Sequence, residues 1–230
     1  MTWKTTATLL LLVPVLLAPL ARYAARERVY PFCYWNERRF PAAKIFPAGV
    51  YITHALAELL PQFHLTAPLE RRITHESLSL LTPDGATTFS SLQPGGESWS
   101  VLRARFDPWL VAEAEKEGVE CIPGATVDAL YEENGRVCGV ICGDDILRAR
   151  YVVLAEGANS VLAERHGLVP RTAGEAMALG IKEVLTLEPS AIEERFHLEN
   201  NEGAALLFSG GICDDLPAAH FFILINKRSR

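Results

Sequence analysis

The sequence has no Cys-x-x-Cys pair, no excess of positive charge, no internal repeat and no low-complexity tract. Each absence removes a class of protein. Five scattered cysteines (Cys33, Cys121, Cys138, Cys142 and Cys213) offer neither metal-site spacing nor an even-numbered disulfide framework. Cys138 and Cys142 stand four apart without a second ligand pair, so no metal site is expected. A net charge of -6 and a pI near 5.6 lack the basic face of a nucleic-acid binder. The one long apolar stretch, Ala7 to Ala21, contains two prolines and is short of the roughly 20 residues that span a bilayer. What remains is ordinary globular composition, 49% hydrophobic and 22% charged over 230 residues, enough for one large domain or two small ones.

Lys4 precedes the apolar stretch and Arg22 follows it, which resembles a signal peptide or short signal anchor. Residues 22–49 mix arginines, aromatics and prolines with no sustained period, and no element is assigned there.

From Gly49 the pattern becomes regular. Thr53 to Leu60 reads as a helix stopped by Pro61. Residues 73–91 alternate around Pro83-Asp84-Gly85, the signature of a hairpin. Asp107 and Pro108 are expected as N-cap and first residue of a helix carrying Leu110, Val111 and Ala114, ended by Gly118. A strand should begin at Val119. TVDALYEE, the Asn134-Gly135 turn and RVCGVIC read as a second hairpin. ILRARYVVLA is its third run, and its apolar end, Tyr151 to Ala155, reads as a buried parallel strand. A helix should follow over Asn159 to His166. Residues 176–188 read as a strand, Ser190 and Glu193 as the capping box of a short helix, and Ala204 to Phe208 as a strand before Gly210-Gly211.

This order of elements is that of the interior of a two-dinucleotide-binding-domain flavoprotein, and three segments resemble that superfamily. VLRARFDPWLVAEAEKEGVECIPGATVDAL resembles the stretch where the superfamily sets an arginine before a helix, which implies that Arg103 contacts FAD. A guanidinium suits that role, being always charged and able to fork onto phosphate or ribose oxygens. In GATV, Val127 matches the residue whose backbone N–H and C=O face the adenine. VVLAEGANSVLAERHGL resembles the Asp-Gly motif, with Glu156 where an aspartate is usual, then Gly157 and Ser160. Glycine permits the close turn, and the helix start behind it offers free N–H groups to a phosphate or an acid. The plain alternatives are a surface arginine, an ordinary strand valine and a strand-to-helix turn without a ligand.

YITHALAELLPQF, ERRITHESLSLLT and AMALGIKEVLTLEPSAIEERFHLENNEGAALLFSGG resemble the FixC-type branch of the electron-transfer-flavoprotein:quinone oxidoreductase family. The resemblance covers about residues 49–216. It implies FAD, a quinone, an electron-transfer flavoprotein partner and, in this family, often a ferredoxin-like iron–sulfur protein. It also implies a cytoplasmic location with peripheral contact on the inner face of the membrane.

Such a protein should open with strand, G-x-G-x-x-G, helix and an acidic residue for the ribose. No G-x-G-x-x-G occurs anywhere. Reading the wobble base of each codon with the first two bases of the next, permitted codons for Leu12 to Pro19 spell Gly-Ala-Gly-Ala-Ala-Gly-Ser. In the same phase Trp35 followed by Asn36 must give a glutamate, and the tail from His220 rereads as a family-like continuation. Residues from about 12 to 48 are therefore expected to be read out of frame.

The expected fold is α/β, a glutathione-reductase-like FAD-binding fragment with β-rich substrate-domain segments. Its parts are an atypical N-terminus (1–48), a portion of the FAD-binding domain with inserted segments (49–168), the start of a substrate or quinone domain (169–219) and an atypical tail (220–230). Rival readings are an inactive remnant that does not bind FAD, a geranylgeranyl-reductase-like or hydroxylase-like flavoenzyme, and a membrane-anchored module without enzymatic activity. No catalytic acid or base is identifiable.

Overall fold

A computed structural model describes residues 7–11, 30–34, 49–52, 54–95, 98–122, 124–156, 160–171, 183, 185–199, 201–211 and 219–224. The chain divides into two compact units: Met1–Ile45 with Asp107–Lys182, and Phe46–Phe106 with Glu183–Arg230.

The first unit holds two sheets. Strands β1 (Ala7–Leu11), β2 (Tyr30–Tyr34), β7 (Glu120–Ile122) and β11 (Val152–Leu154) form a parallel sheet in the order β11-β1-β2-β7. The apolar stretch and the unassigned segment after it thus each contribute a strand. An antiparallel meander comprises β8 (Ala129–Glu133), β9 (Arg136–Cys142) and β10 (Asp145–Arg148). Asn134 and Gly135 join β8 to β9 with φ of 53° and 75°, the pair of positive values a type I′ turn needs. The expected third run is two strands. Arg148 ends β10, Ala149 donates its N–H to the Cys138 carbonyl, and the chain then leaves the meander to join β1 as β11. Tyr151 is exposed and β11 only half-buried, where a buried strand was expected. The meander core is Leu130, Val140 and Ala149, with Val127 and Leu154 packed against it. Burying a side chain such as Val140 contributes about 1.5–3 kcal/mol.

The second unit is built on a mixed sheet: β3 (Gly49–Ile52), β4 (Leu69–Thr82), β5 (Gly85–Leu92), β6 (Ser98–Val101), β12 (Glu202–Gly210) and β13 (Ala219–Ile223). Its order is β13-β12-β4-β6-β3, with β5 also paired to β4. The β4–β5 hairpin is the expected one, closing at Thr82 opposite Gly85. Strand β4 shifts register against β6 between Leu69 and Arg72. Ser100 repairs that break: its hydroxyl accepts the Arg71 N–H at 3.0 Å and donates to the Arg71 carbonyl at 3.2 Å. Strand β12 runs parallel to β4, and a Cβ at Gly203 would press on Arg71 and Ile73.

Helix α1 (His54–Leu59) matches the expected stop before Pro61, and a short α2 (Phe63–Thr66) follows. The long helix α3 (Arg103–Lys116) starts one turn earlier than Asp107. The Leu102 carbonyl accepts the N–H groups of Arg105 and Phe106 at 2.8 and 2.9 Å, so the helical bonding begins there. Phe106, Leu110 and Ala114 extend the buried stripe at i, i+4 spacing. Asp107 is buried inside the helix rather than capping it, and Pro108, without an N–H, leaves the Ala104 carbonyl lacking its i+4 donor. Gly118, at φ 86°, ends the helix as expected.

Two short helices complete the described chain. Helix α4 (Val161–Arg165) falls within its expected range. Helix α5 (Pro189–Phe196) has Glu188 at its N-cap position, without a side-chain capping bond, and Pro189 in its first turn, so Ser190 lies inside the helix and the expected capping box does not form. Glu193, its expected second member, is taken by Arg71 instead. Ile192, Leu198, Ala204 and Leu224 form the core between α5 and the sheet. Most of the expected strand over 176–188 lies outside the described residues, and residues 185–188 form no strand.

Candidate functional site

The four parallel strands end in register. Leu11 pairs with Leu154 and with Tyr34, and Tyr34 pairs with Ile122, so all four carboxyl ends lie along one edge. In open parallel sheets, ligands bind at that edge. Of the residues named from the sequence, Val127 follows β7 and Glu156 follows β11, while Leu12 and Trp35, next in sequence to β1 and β2, lie outside the described residues. Spacing alone could not show this convergence, because it arises from pairing between distant strands.

Glu156 is the best-defined member of the edge. Its Oε1 accepts the N–H of Leu162 at 3.0 Å and its Oε2 accepts the N–H of Ala163 at 3.0 Å. The carboxylate therefore closes the start of α4, whose N–H groups were expected to serve a phosphate or an acid, and the acid takes them. Ser160, at the N-cap, makes no capping bond with its side chain. Gly157 lies outside the described residues.

Val127 stands in the irregular stretch before β8, with its side chain against the meander core. Its neighbour Asp128 donates its N–H to the Ile141 carbonyl, and its Oδ2 accepts the Gly143 N–H at 2.7 Å. Arg103 is the first residue of α3, partly buried and engaged in an interaction, and it belongs to the second unit. The site residues named from the sequence thus fall in both units.

Other polar arrangements in the units were not signalled by sequence pattern. His166 Nε2 accepts the Leu130 N–H at 3.2 Å and ties α4 to β8. In the second unit a cavity of about 600 Å³ is lined by Arg72, Trp99, Glu193, Leu198, Glu199, Asn201 and Glu202. Two of its three carboxylates serve the fold: Glu193 pairs with Arg71, and Glu202 accepts the Glu199 N–H at 3.0 Å. Cys142 is the clearest electrostatic case. Burial, then the nearby Asp128 and Asp145 carboxylates, push its thiol up to about 11. Among the described residues no cluster of His, Cys, Asp and Glu could hold a metal, and no helix is long and apolar enough to cross a membrane.

Comparison with known proteins places this geometry. The chain is 90% identical over 181 residues to a probable electron transfer flavoprotein-quinone oxidoreductase, YgcN, of Escherichia coli K12. By sequence, the chain is a relative of the FixC-type electron transfer flavoprotein–quinone oxidoreductases. It is 43% identical over 191 residues to a second such protein of that strain, YdiS, and 42% identical over 184 residues to protein FixC of Salmonella typhi. These matches cover 79%, 81% and 78% of the chain. The chain spans less than half the length of these curated relatives, 43%, 44% and 43%. No family model matches it.

Solved structures agree on the fold. A geranylgeranyl bacteriochlorophyll reductase-like protein of Thermoplasma acidophilum superposes with a TM-score of 0.61 over 90% of this chain and 50% of its own, at 16% identity. A myxobacterial chondrochloren halogenase, a variant of FAD-dependent halogenases, superposes at 0.55 over 70% of this chain and 39% of its own, at 20% identity. The fold class is the α/β architecture of these structures.

Proposed function

We propose that this chain carries part of an FAD-dependent oxidoreductase that passes electrons from an electron-transfer flavoprotein to a quinone. The observation that carries the reading is 90% identity over 181 residues to a protein of that name. The carboxyl edge of the parallel sheet supports it, because a dinucleotide would lie there. On this reading Arg103, the backbone at Val127 and the Gly157-to-Ser160 segment contact the cofactor, and Glu156 shapes the turn that carries that segment. The protein works in the cytoplasm with peripheral contact on the inner membrane face, and a ferredoxin-like iron–sulfur protein is a further partner.

The residues after β1 do not fit the cofactor. The sequence there is Leu12-Val13-Pro14-Val15-Leu16-Leu17, without the glycines that let a backbone approach a pyrophosphate, and Pro14 has no N–H to offer. No electron-transfer step is therefore derived through FAD for this chain. The out-of-phase Gly-Ala-Gly-Ala-Ala-Gly begins at Leu12, the residue after β1, and the out-of-phase glutamate begins at Trp35, the residue after β2. Both are the places where a dinucleotide fold needs them. This supports a displaced reading frame and an incomplete flavoprotein.

The test is the nucleotide sequence of the gene, together with flavin titration of two purified proteins. The expected result is a glycine-rich strand–turn–helix in the second phase before Gly49. The chain as written should stay colourless after FAD addition, and the chain with the phase restored over 12–48 should turn yellow. Codons that forbid the rereading, or tight FAD binding by the chain as written, overturn it.

A further inference from the structure

We infer that Glu156 is a positioning residue that clasps the start of α4, and is not itself a cofactor ligand. This rests on the flavoprotein reading above only for what the clasp positions.

Both carboxylate oxygens are committed, each at 3.0 Å to a different backbone N–H of the first helical turn. A helix start leaves such donors unpaired, and the nearest side chain able to take them is normally the N-cap residue. Ser160 occupies that place and its side chain does not cap. Glu156 reaches forward six and seven residues to do it. The reach needs the longer arm. An aspartate, one methylene shorter, would fall short of two donors at once.

Two consequences follow. The carboxylate ties the chain leaving β11 directly to the first turn of α4, so these two points are fixed to each other by side chain as well as by backbone. The negative charge also sits on the positive end of α4, so a phosphate arriving there meets a like charge where it would otherwise meet open donors. On the flavoprotein reading, a pyrophosphate would need donors other than these two N–H groups.

The clasp is tested by hydrogen exchange at the Leu162 and Ala163 amides in the full chain, without flavin, for wild type, Glu156→Ala, Glu156→Gln and Glu156→Asp. Glu156→Ala and Glu156→Asp should speed exchange at both amides by roughly tenfold or more, the factor for losing one charge-assisted bond each. Glu156→Gln keeps one carbonyl oxygen, so one amide should stay protected. Amides of the meander should not change, which separates the clasp from general unfolding. Equal protection of both amides in all four proteins overturns the proposal. Because no flavin is present, the outcome is independent of whether the chain binds FAD.

Discussion

Arg71 lies buried in β4, and its guanidinium Nη1 meets the Glu193 carboxylate of α5 at 3.4 Å. The same nitrogen donates to the Glu202 carbonyl at 2.7 Å. Strand β4 is thus fixed through one cation to α5 and β12, which lie more than 120 residues later. Removing one partner of a buried pair costs about 3–5 kcal/mol because the other charge is stranded. Here the Glu202 carbonyl remains and Glu193 is partly exposed, so Glu193→Ala should cost somewhat less, about 2–3 kcal/mol. Urea unfolding with an unchanged m-value would check it, and a loss below about 0.5 kcal/mol would place the pair among surface bridges.

Gly139 and Gly143 sit four residues apart and should respond very differently to alanine. A Cβ at 139 would run into the Leu147 carbonyl oxygen across the β9–β10 ladder. A Cβ at 143 meets open space, although φ is 58°. Gly143→Ala should cost about 1–2 kcal/mol, the left-handed penalty alone. Gly139→Ala should cost more, because a ladder strand must also move, and thermal unfolding of both variants shows the order.

Asn134 carries φ 53° at the first position of its turn. Asn134→Gly should be neutral within about 0.5 kcal/mol, while Asn134→Val should lose about 1–2 kcal/mol, since a β-branched residue resists that conformation. Circular-dichroism melts of the two would separate turn geometry from side-chain chemistry.

The Cys142 thiol is held up to about 11 by burial and by Asp128 and Asp145. An unfolded cysteine ionises near pH 8.5. The folded state therefore binds the proton more tightly, and its contribution to stability is complete below about pH 8.5 and fades as pH rises through 11. Alkylation at pH 8 should label Cys142 slowly, and the rate should keep climbing towards pH 11. Asp128→Asn should bring that rise to lower pH. A rate already level at pH 9 would contradict the shift.

Local signals were legible wherever the chemistry is local. The Asn134-Gly135 turn, the Pro83-Asp84-Gly85 hairpin, the Gly118 stop and the α1 boundary all depend on a few adjacent residues, and each stands where expected. The errors came where a distant partner decides. Asp107 reads as a cap, but the buried stripe through Phe106 pulls the helix back to Arg103. Glu193 reads as half of a capping box, but Arg71, 122 residues away, takes its carboxylate. For Glu156 the sequence showed the donors, the N–H groups of the helix start, but not which acceptor takes them, since that depends on how the chain turns between β11 and α4.

The parallel pairing of β12 with β4 has a bearing on how this polypeptide is made. Thr82 ends β4 and Glu202 begins β12, about 120 residues later. A ribosome adding roughly 5–20 residues per second needs about 6–24 s to cover that distance. Throughout that interval, nascent β4 presents an unsatisfied edge, with Leu78 and Leu80 alongside it. The second unit therefore depends on its last-made strands to seal its first-made ones, and the window before they emerge is when a chaperone would have most to shield.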